Sequence, residues 1–180
     1  MGYLFWIDLE MTGLNCDTDS ILEIASIVTT DELEIVAHGP DYAIHQPQSA
    51  LATMDEWNIQ HHTNSGLIER SISSKVSLQQ AEEETMSFFA AWCKEKTVPL
   101  CGNTIYQDRA FLRRLMPKIN DYAHYRMIDV STIKELVHRW YPNNSAAHFE
   151  KKKVHRAHDD ILESIAELQW YRKNFFVSNV

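Results

Sequence analysis

The sequence contains few residues that could crosslink a fold or interrupt regular structure. It has only three cysteines, Cys16, Cys93 and Cys101, and no C-x-x-C motif. A disulfide framework or a zinc ribbon is therefore not supported, and three isolated thiols are typical of a reducing cytosol. Five glycines and five prolines in 180 residues are also too few for a collagen-like or linker-rich chain.

Long apolar segments are scarce as well. The longest N-terminal apolar run, residues 3–7, ends at Asp8 and is too short for a signal peptide or a membrane span. We therefore expect a cytoplasmic protein that has no membrane partner.

Positive charge is in deficit. The chain has 17 lysines and arginines against 25 aspartates and glutamates, which gives a formal net charge of -8. Such a charge balance argues against an extended basic surface that binds the phosphates of a nucleic acid. The argument does not hold for a site whose positive charge comes from bound metal ions, because the excess carboxylates can then be ligands.

The chain does contain a regular succession of apolar patterns. They predict strands at residues 3–10, 21–29, 33–38, 42–46, 98–102 and 125–130. Helical spacing predicts helices at 77–92, 107–115, 132–140 and 157–172, and capping boxes open the first and third of these. Both faces of 3–10 are apolar, which is typical of a central strand covered on both sides. The prediction is a single α/β domain over 1–180, with a mixed β-sheet flanked by helices.

An acidic pair ends the most apolar of these strands. Residues i and i+2 of a strand point to the same face, so the carboxylates of Asp8 and Glu10 project together. Ligand sites of α/β sheets gather at such strand ends. A lone D-x-E is more often two surface acids, so this pair does not identify a site by itself.

Further acids lie at the predicted starts of helices. Asp108 is near the start of one helix, and Asp159 and Asp160 open the last one. Each alone is explained as a favourable charge at a helix N-terminus. The strand pair, Asp108 and one of the two acids that open the last helix make four carboxylates that could converge on two hard cations, which prefer oxygen ligands. His155, five residues before Asp160, is either an ordinary loop histidine or a general base whose pKa is close to the working pH.

The order Asp8-x-Glu10, Asp108 and His155-x4-Asp160 resembles the DEDDh 3′→5′ exonucleases, which have an RNase H-like fold. Longer strings are similar to the oligoribonuclease family in particular. They are WIDLEMTGL (6–14), MDEWNIQHHTNSGL (54–67), CGNTIYQDRAFL (101–112), HYRMIDVSTIKEL (124–136) and HRAHDDILESIAEL (155–168). Several long strings in the correct order are more specific than any single motif.

This resemblance implies a homodimeric enzyme that hydrolyses very short RNA oligomers, down to dinucleotides, to 5′-mononucleotides. It implies that Asp8, Glu10, Asp108 and Asp160 bind two divalent metal ions, Mg²⁺ or Mn²⁺, with His155 as the general base. No stable protein partner besides the second copy is implied. A dinucleotide has few phosphates, so the negative net charge does not conflict with this substrate.

Seven further residues are implied by the resemblance to contact the substrate. Those around the bases are Leu14, Trp57 and His62, and those near the phosphate are Thr104, Arg126 and Ser131. Tyr125 is implied to reach the site of the partner protomer. Thr104 stands where the family usually has serine, which keeps the hydroxyl, and His158 is a second imidazole close to His155.

Two other functions compete with this interpretation. One is another DEDDh exonuclease that acts on longer single-stranded DNA or RNA, and the other is a non-catalytic nucleotide-binding module of the same fold. The strings at 124–132 and 155–164, and the lack of basic tracts beyond 151–153, argue against the first. The presence of all five residues of the DEDDh pattern argues against the second.

Overall fold

The computed structural model describes residues 2–150 and 156–177. The strands are β1 (Tyr3–Met11), β2 (Ile21–Thr30), β3 (Ile35–Ala43), β4 (Leu100–Gly102) and β5 (Met127–Asp129). The helices are α1 (Gln48–Leu51), α2 (Glu56–Asn64), α3 (Leu67–Ser73), α4 (Leu78–Trp92), α5 (Ile105–Leu115), α6 (Pro117–Tyr122), α7 (Val130–Trp140) and α8 (Ala157–Phe175). None of the helices in these two ranges is both long and apolar enough to cross a membrane.

The five strands form one mixed sheet in the order β3-β2-β1-β4-β5. β1 is antiparallel to β2 and parallel to β4, while β2 and β3 are antiparallel and β4 and β5 are parallel. The predicted mixed sheet flanked by helices is confirmed, and β1 is its central strand.

β1 separates two hydrophobic cores, one on each face of the sheet. Phe5 and Ile7 pack into a core that includes Phe89 of α4. Trp6, which points the other way, packs into a second core that includes Ile161 of α8. Alternation along the strand therefore carries the even-numbered residues of β1, including Asp8, towards α8.

β3 differs from the prediction, which placed two strands at 33–38 and 42–46. A single strand continues through Gly39 and Pro40, and its pairing with β2 is irregular between His38 and Asp41. β3 is an edge strand, and proline is tolerated there because one side of an edge strand pairs with no neighbour. The prediction separated 33–38 from 42–46, whereas the strand continues between them by means of a bulge.

The two predicted capping boxes have different outcomes. α4 begins as predicted, with Ser77 Oγ accepting a hydrogen bond from the Gln80 N–H at 3.1 Å. The predicted box at Thr132 is wrong, because α7 begins two residues earlier. Its N-cap is Asp129, whose carboxylate accepts from the Ser131 N–H at 2.9 Å.

Candidate active site

Three carboxylates converge at the carboxyl end of β1. One oxygen each of Asp8, Glu10 and Asp160 lies within 4.8 Å of the other two. Strand alternation turns Asp8 and Glu10 to the side of the sheet covered by α8, and the first turn of α8 supplies Asp160. The structure thus brings together three of the four predicted metal ligands, which we call the acid cluster.

The fourth predicted ligand, Asp108, joins the same strand end from α5. Its side chain is buried, and its Oδ1 accepts a hydrogen bond from the Leu9 N–H at 2.9 Å. Leu9 lies between Asp8 and Glu10, so this bond fixes Asp108 beside the acid cluster. The negative charge of Asp108 also contributes to the raised pKa of Asp8.

Burial and mutual repulsion dominate the electrostatics of the acid cluster. Burial is the main cause that raises the pKa of Glu10 to about 8, and the charges of Asp160 and Glu23 add to it. Burial likewise raises the pKa of Asp108 to about 7 and that of Asp8 well above its usual range. Converging carboxylate oxygens whose pKa values are raised by burial and by one another match the ligand set that hard divalent cations require.

Asp160, rather than its neighbour Asp159, supplies the oxygen from α8. Adjacent helical residues differ by about 100° in direction, and Asp160 is the one of this pair that faces β1. The residues three before and four after Asp160, Ala157 and Ser164, are buried beside it. Ser164 Oγ donates a hydrogen bond to the backbone oxygen of Asp160 at 2.8 Å.

Glu23 is a buried acid at this site that the sequence interpretation missed. It lies on β2, opposite Glu10 in the strand register. Its Oε1 forms an ion pair with Arg70 Nη1 at 2.6 Å, and its Oε2 accepts from the Ala157 N–H at 3.1 Å. Ala157 is the first residue of α8, so Glu23 ties β2 to the helix end that carries Asp160. A lone acid in the otherwise apolar string ILEIASIV was the available signal.

The three residues implied to contact the bases differ in burial. Leu14 and Trp57 are largely exposed and line one cavity of about 480 Å³. His62 is buried, and its Nε2 donates to the backbone oxygen of Met11 at 2.9 Å. Its neighbour His61 stacks on Trp57, with ring centroids 4.7 Å apart and planes at 11°. The sequence interpretation did not single out His61.

A hydrogen-bond network joins the residues implied to lie near the phosphate to α8. The hydroxyls of Thr104 and Ser131 lie 3.0 Å apart, and Ser131 Oγ donates to Asn103 Oδ1 at 3.1 Å. Asn103 Nδ2 in turn donates to Ser164 Oγ at 2.7 Å. Because Ser164 also bonds the backbone of Asp160, the two hydroxyls are linked to the helix that carries the acid.

Tyr125 and Arg126 lie on the protein surface. Tyr125 is 72% exposed, and the Arg126 guanidinium carbon lies 5.4 Å from the centroid of its ring. Arg109 holds this segment by donating from Nη1 to the backbone oxygen of Tyr125 at 2.9 Å. The two side chains are therefore accessible from outside the protomer.

Two histidines, His155 and His158, lie near the start of α8 in the sequence, and the structure describes only His158. His155, the predicted general base, lies outside the described residues. His158 is paired with His38, and the nearest ring nitrogens of the two are 2.9 Å apart. The second imidazole therefore belongs to a contact with β3 rather than to the acid cluster.

Sequence comparison places the chain among exonucleases. The exonuclease family model RNase_T matches residues 5–168. The oligoribonuclease of Acinetobacter baylyi is 52% identical over 176 residues, which cover 98% of this chain and 96% of that protein. The oligoribonuclease of Vibrio vulnificus is 54% identical over 173 residues, which cover 96% of this chain and 95% of that protein.

Solved structures support the same fold. Exonuclease I from Methylocaldum szegediense has a TM-score of 0.74 at 13% identity over 97% of this chain. Escherichia coli exonuclease I in complex with a 5cy-dT13 oligonucleotide has a TM-score of 0.72 at 15% identity over 97% of this chain. This chain spans 41% of the length of each, and at such identity the likeness concerns the RNase H-like fold alone. From the family match and the near full-length relatives, the chain belongs to the RNase T-type exonuclease family and, within it, to the oligoribonucleases.

Proposed function

We propose that this chain is a cytoplasmic 3′→5′ exoribonuclease that hydrolyses very short RNA oligomers, dinucleotides in particular, to 5′-mononucleotides. The observation that carries the proposal is the convergence of Asp8, Glu10 and Asp160, with Asp108 fixed beside them. The near full-length identity to proteins named oligoribonucleases supports the substrate class. Residues 1–180 would form one exonuclease domain.

The four carboxylates would hold two divalent metal ions, Mg²⁺ or Mn²⁺. Asp8 and Glu10 would bind them from β1, Asp108 from α5 and Asp160 from α8. When bound, such ions neutralise the charge of the scissile phosphate and make water a stronger nucleophile at neutral pH. The raised pKa values of Glu10 and Asp108 support this assignment, because two cations would balance the charge that burial makes unfavourable.

His155 would act as the general base and take the proton from the attacking water. A neutral imidazole is suited to this role because its pKa is close to neutral pH. The proposal rests on the family spacing His-x4-Asp, which His155 and Asp160 match.

Substrate binding would combine stacking with hydroxyl contacts. Leu14 and Trp57 offer exposed apolar faces on one cavity, and stacking on such faces tolerates any base. His62 would complete this base-binding side.

At the phosphate, the hydroxyls of Thr104 and Ser131 would rotate so that their protons turn from Ser131 Oγ and Asn103 Oδ1 to the phosphate oxygens, and Arg126 would supply positive charge. The network that joins Thr104 and Ser131 to α8 supports this role, because it holds both hydroxyls in a fixed position relative to Asp160.

A homodimer would complete each site. Tyr125 is exposed and its backbone is anchored by Arg109, so its ring can project into a second protomer. Each copy would then supply Tyr125 to the acid cluster of the other.

A length series of 5′-labelled RNA tests the proposed function. We expect metal-dependent release of mononucleotides that is fastest on dinucleotides and slow on a long single strand, and that stops when a chelator removes the metal. Equal or faster hydrolysis of the long strand would identify the chain as a general exonuclease instead. Binding of dinucleotides without hydrolysis, at any metal concentration, would identify a non-catalytic module.

A further inference from the structure

A second set of metal-binding side chains lies next to the acid cluster. It consists of Glu10 and two adjacent histidines of α2, His61 and His62. One carboxylate oxygen of Glu10 and one ring nitrogen of each histidine all lie within 4.8 Å of one another. Glu10 therefore belongs to two groups, one made only of carboxylates and one made mainly of imidazoles.

The hydrogen bonding of His62 leaves one ring nitrogen available as a ligand. Nε2 must carry the proton, because it donates to the backbone oxygen of Met11. Nδ1 is buried and has no hydrogen-bond partner among the described residues. Metal-bound histidines commonly have this arrangement, with the second ring nitrogen bonded to a carbonyl.

The ring of His61 is oriented by its two aromatic neighbours. It stacks on Trp57, and it meets the His62 ring edge-on at a centroid distance of 5.3 Å and an angle of 78°. Because both histidines lie on α2, little conformational freedom remains to be lost when a metal binds.

The donor atoms of Glu10, His61 and His62 favour a different kind of metal ion from the one that the acid cluster favours. Two imidazoles and one carboxylate suit zinc and similar transition metals, whereas all-carboxylate sites suit magnesium and manganese. A tetrahedral zinc ion about 2 Å from each ligand has ligand atoms roughly 3.3 Å apart. Small side-chain rotations would close the observed group to that size, and water would be the fourth ligand.

We propose that Glu10, His61 and His62 form a zinc-binding site, and that zinc bound there inhibits hydrolysis by withdrawing Glu10 from the acid cluster. The binding of zinc does not depend on the function proposed above. The inhibition does rest on that function, because it assumes that Glu10 binds a catalytic metal ion.

Calorimetric titration with Zn²⁺ tests the binding step. The background variant is Asp160→Asn, which disables the acid cluster and leaves the histidine group intact. We expect it to bind one zinc ion per chain, and we expect adding His61→Gln to weaken that binding by about tenfold or more. Adding His45→Gln instead, at an exposed histidine outside the group, should change nothing. Absence of zinc binding, or equal affinity in all three proteins, would overturn the proposal.

Dinucleotide hydrolysis at fixed Mg²⁺ with increasing Zn²⁺ tests the inhibition. We expect His61→Gln to retain most of its activity without zinc and to require about tenfold more zinc for half-inhibition than the unmodified enzyme. His45→Gln should be as sensitive as the unmodified enzyme. Equal sensitivity of all three proteins would show that zinc acts elsewhere. If no protein hydrolyses dinucleotides, the proposed function fails, while calorimetry still decides whether the zinc site exists.

Discussion

Glu10 and Glu23 lie directly opposite each other across the antiparallel pair of β1 and β2, yet the two carboxylates have different electrostatic surroundings. Glu23 is paired with Arg70 at 2.6 Å and accepts a backbone N–H from α8. The pKa of Glu10 is instead raised to about 8 by burial and neighbouring acids. Glu23 thus stabilises the fold through its ion pair and hydrogen bond. Glu10, whose ionised form is disfavoured by burial and neighbouring acids, is suited to bind a cation.

The metal-free protein should lose stability as the pH rises. The pKa of Glu10 rises from 4.5 to about 8 on folding, and that of Asp108 from 3.8 to about 7. Between these values the folded state binds more protons than the unfolded state, so the stability present at low pH is lost as pH rises through the folded pKa. With chelator present, we expect Tm to fall from about pH 5 to about pH 8. Mg²⁺ or Mn²⁺ should raise Tm most at the upper end, and equal protection at both ends would contradict the prediction.

Replacing Asp8 with asparagine should separate activity from stability. We expect dinucleotide hydrolysis to fall more than about 100-fold, because even outer partners of metal ligands are worth 10–100-fold. Since the charge of Asp8 is unfavourable without metal, Tm in chelator at alkaline pH should stay the same or rise. Steady-state rates and thermal melts of the same preparation measure both effects. Near-normal turnover would refute the assignment of Asp8 as a metal ligand.

The adjacent aspartates of α8 offer a matched pair of substitutions. Asp160→Asn should lose orders of magnitude in kcat with little change in Tm, because Asp160 belongs to the acid cluster. Asp159→Asn should retain much of the rate and lose modest stability, about 1 kcal/mol, as a favourable charge at the helix N-terminus. The reverse pattern would mean that the acid that serves the metal site is Asp159.

Arg70→Met tests whether Glu23 holds α8 in place. The substitution leaves the Glu23 charge buried without its partner, which should cost about 3 kcal/mol of unfolding free energy. We also expect weaker Mn²⁺ binding, because Glu23 holds the helix end that carries Asp160. Lys118→Met removes a solvent-exposed ion pair with Glu83 and is the control, with Tm and Mn²⁺ affinity nearly unchanged. If both variants behave alike, the buried pair has no positioning role.

Mixing two inactive variants tests whether Tyr125 completes the site of a second protomer. Asp8→Ala lacks a metal ligand, and Tyr125→Ala lacks the ring that its partner would use. In a mixed dimer, one of the two sites has both residues, so random reassortment should restore about a quarter of the normal rate. Each variant alone, incubated in the same way, is the control. No recovery, or fully active monomers by light scattering, would rule out a shared site.

Local patterns predicted the central features of this fold. Two-sided apolar alternation identified β1 as the central strand, and the i, i+2 rule placed Asp8 and Glu10 on one face. The family spacing His-x4-Asp favoured Asp160 over Asp159 as the metal ligand, and Asp160 is the one whose carboxylate lies in the acid cluster.

Features that depend on tertiary packing were missed. The role of Glu23 follows from Arg70 and Ala157, which are 47 and 134 residues away in sequence. The proximity of His61 to Glu10 depends on how α2 packs against the end of β1. α6 was also missed, because Pro117 was taken as the end of a helix, whereas it starts a new one at its first position.

The placement of Asp160 on α8 has a consequence for synthesis of the protein. A ribosome makes β1 before α8, and α8 supplies one wall of the second core as well as an oxygen of the acid cluster. A nascent chain that already has Asp8, Glu10 and Asp108 therefore lacks one carboxylate of the proposed metal site until α8 emerges and docks. Nuclease activity would then be absent from unfinished chains, which are made while bound to the messenger RNA that encodes them.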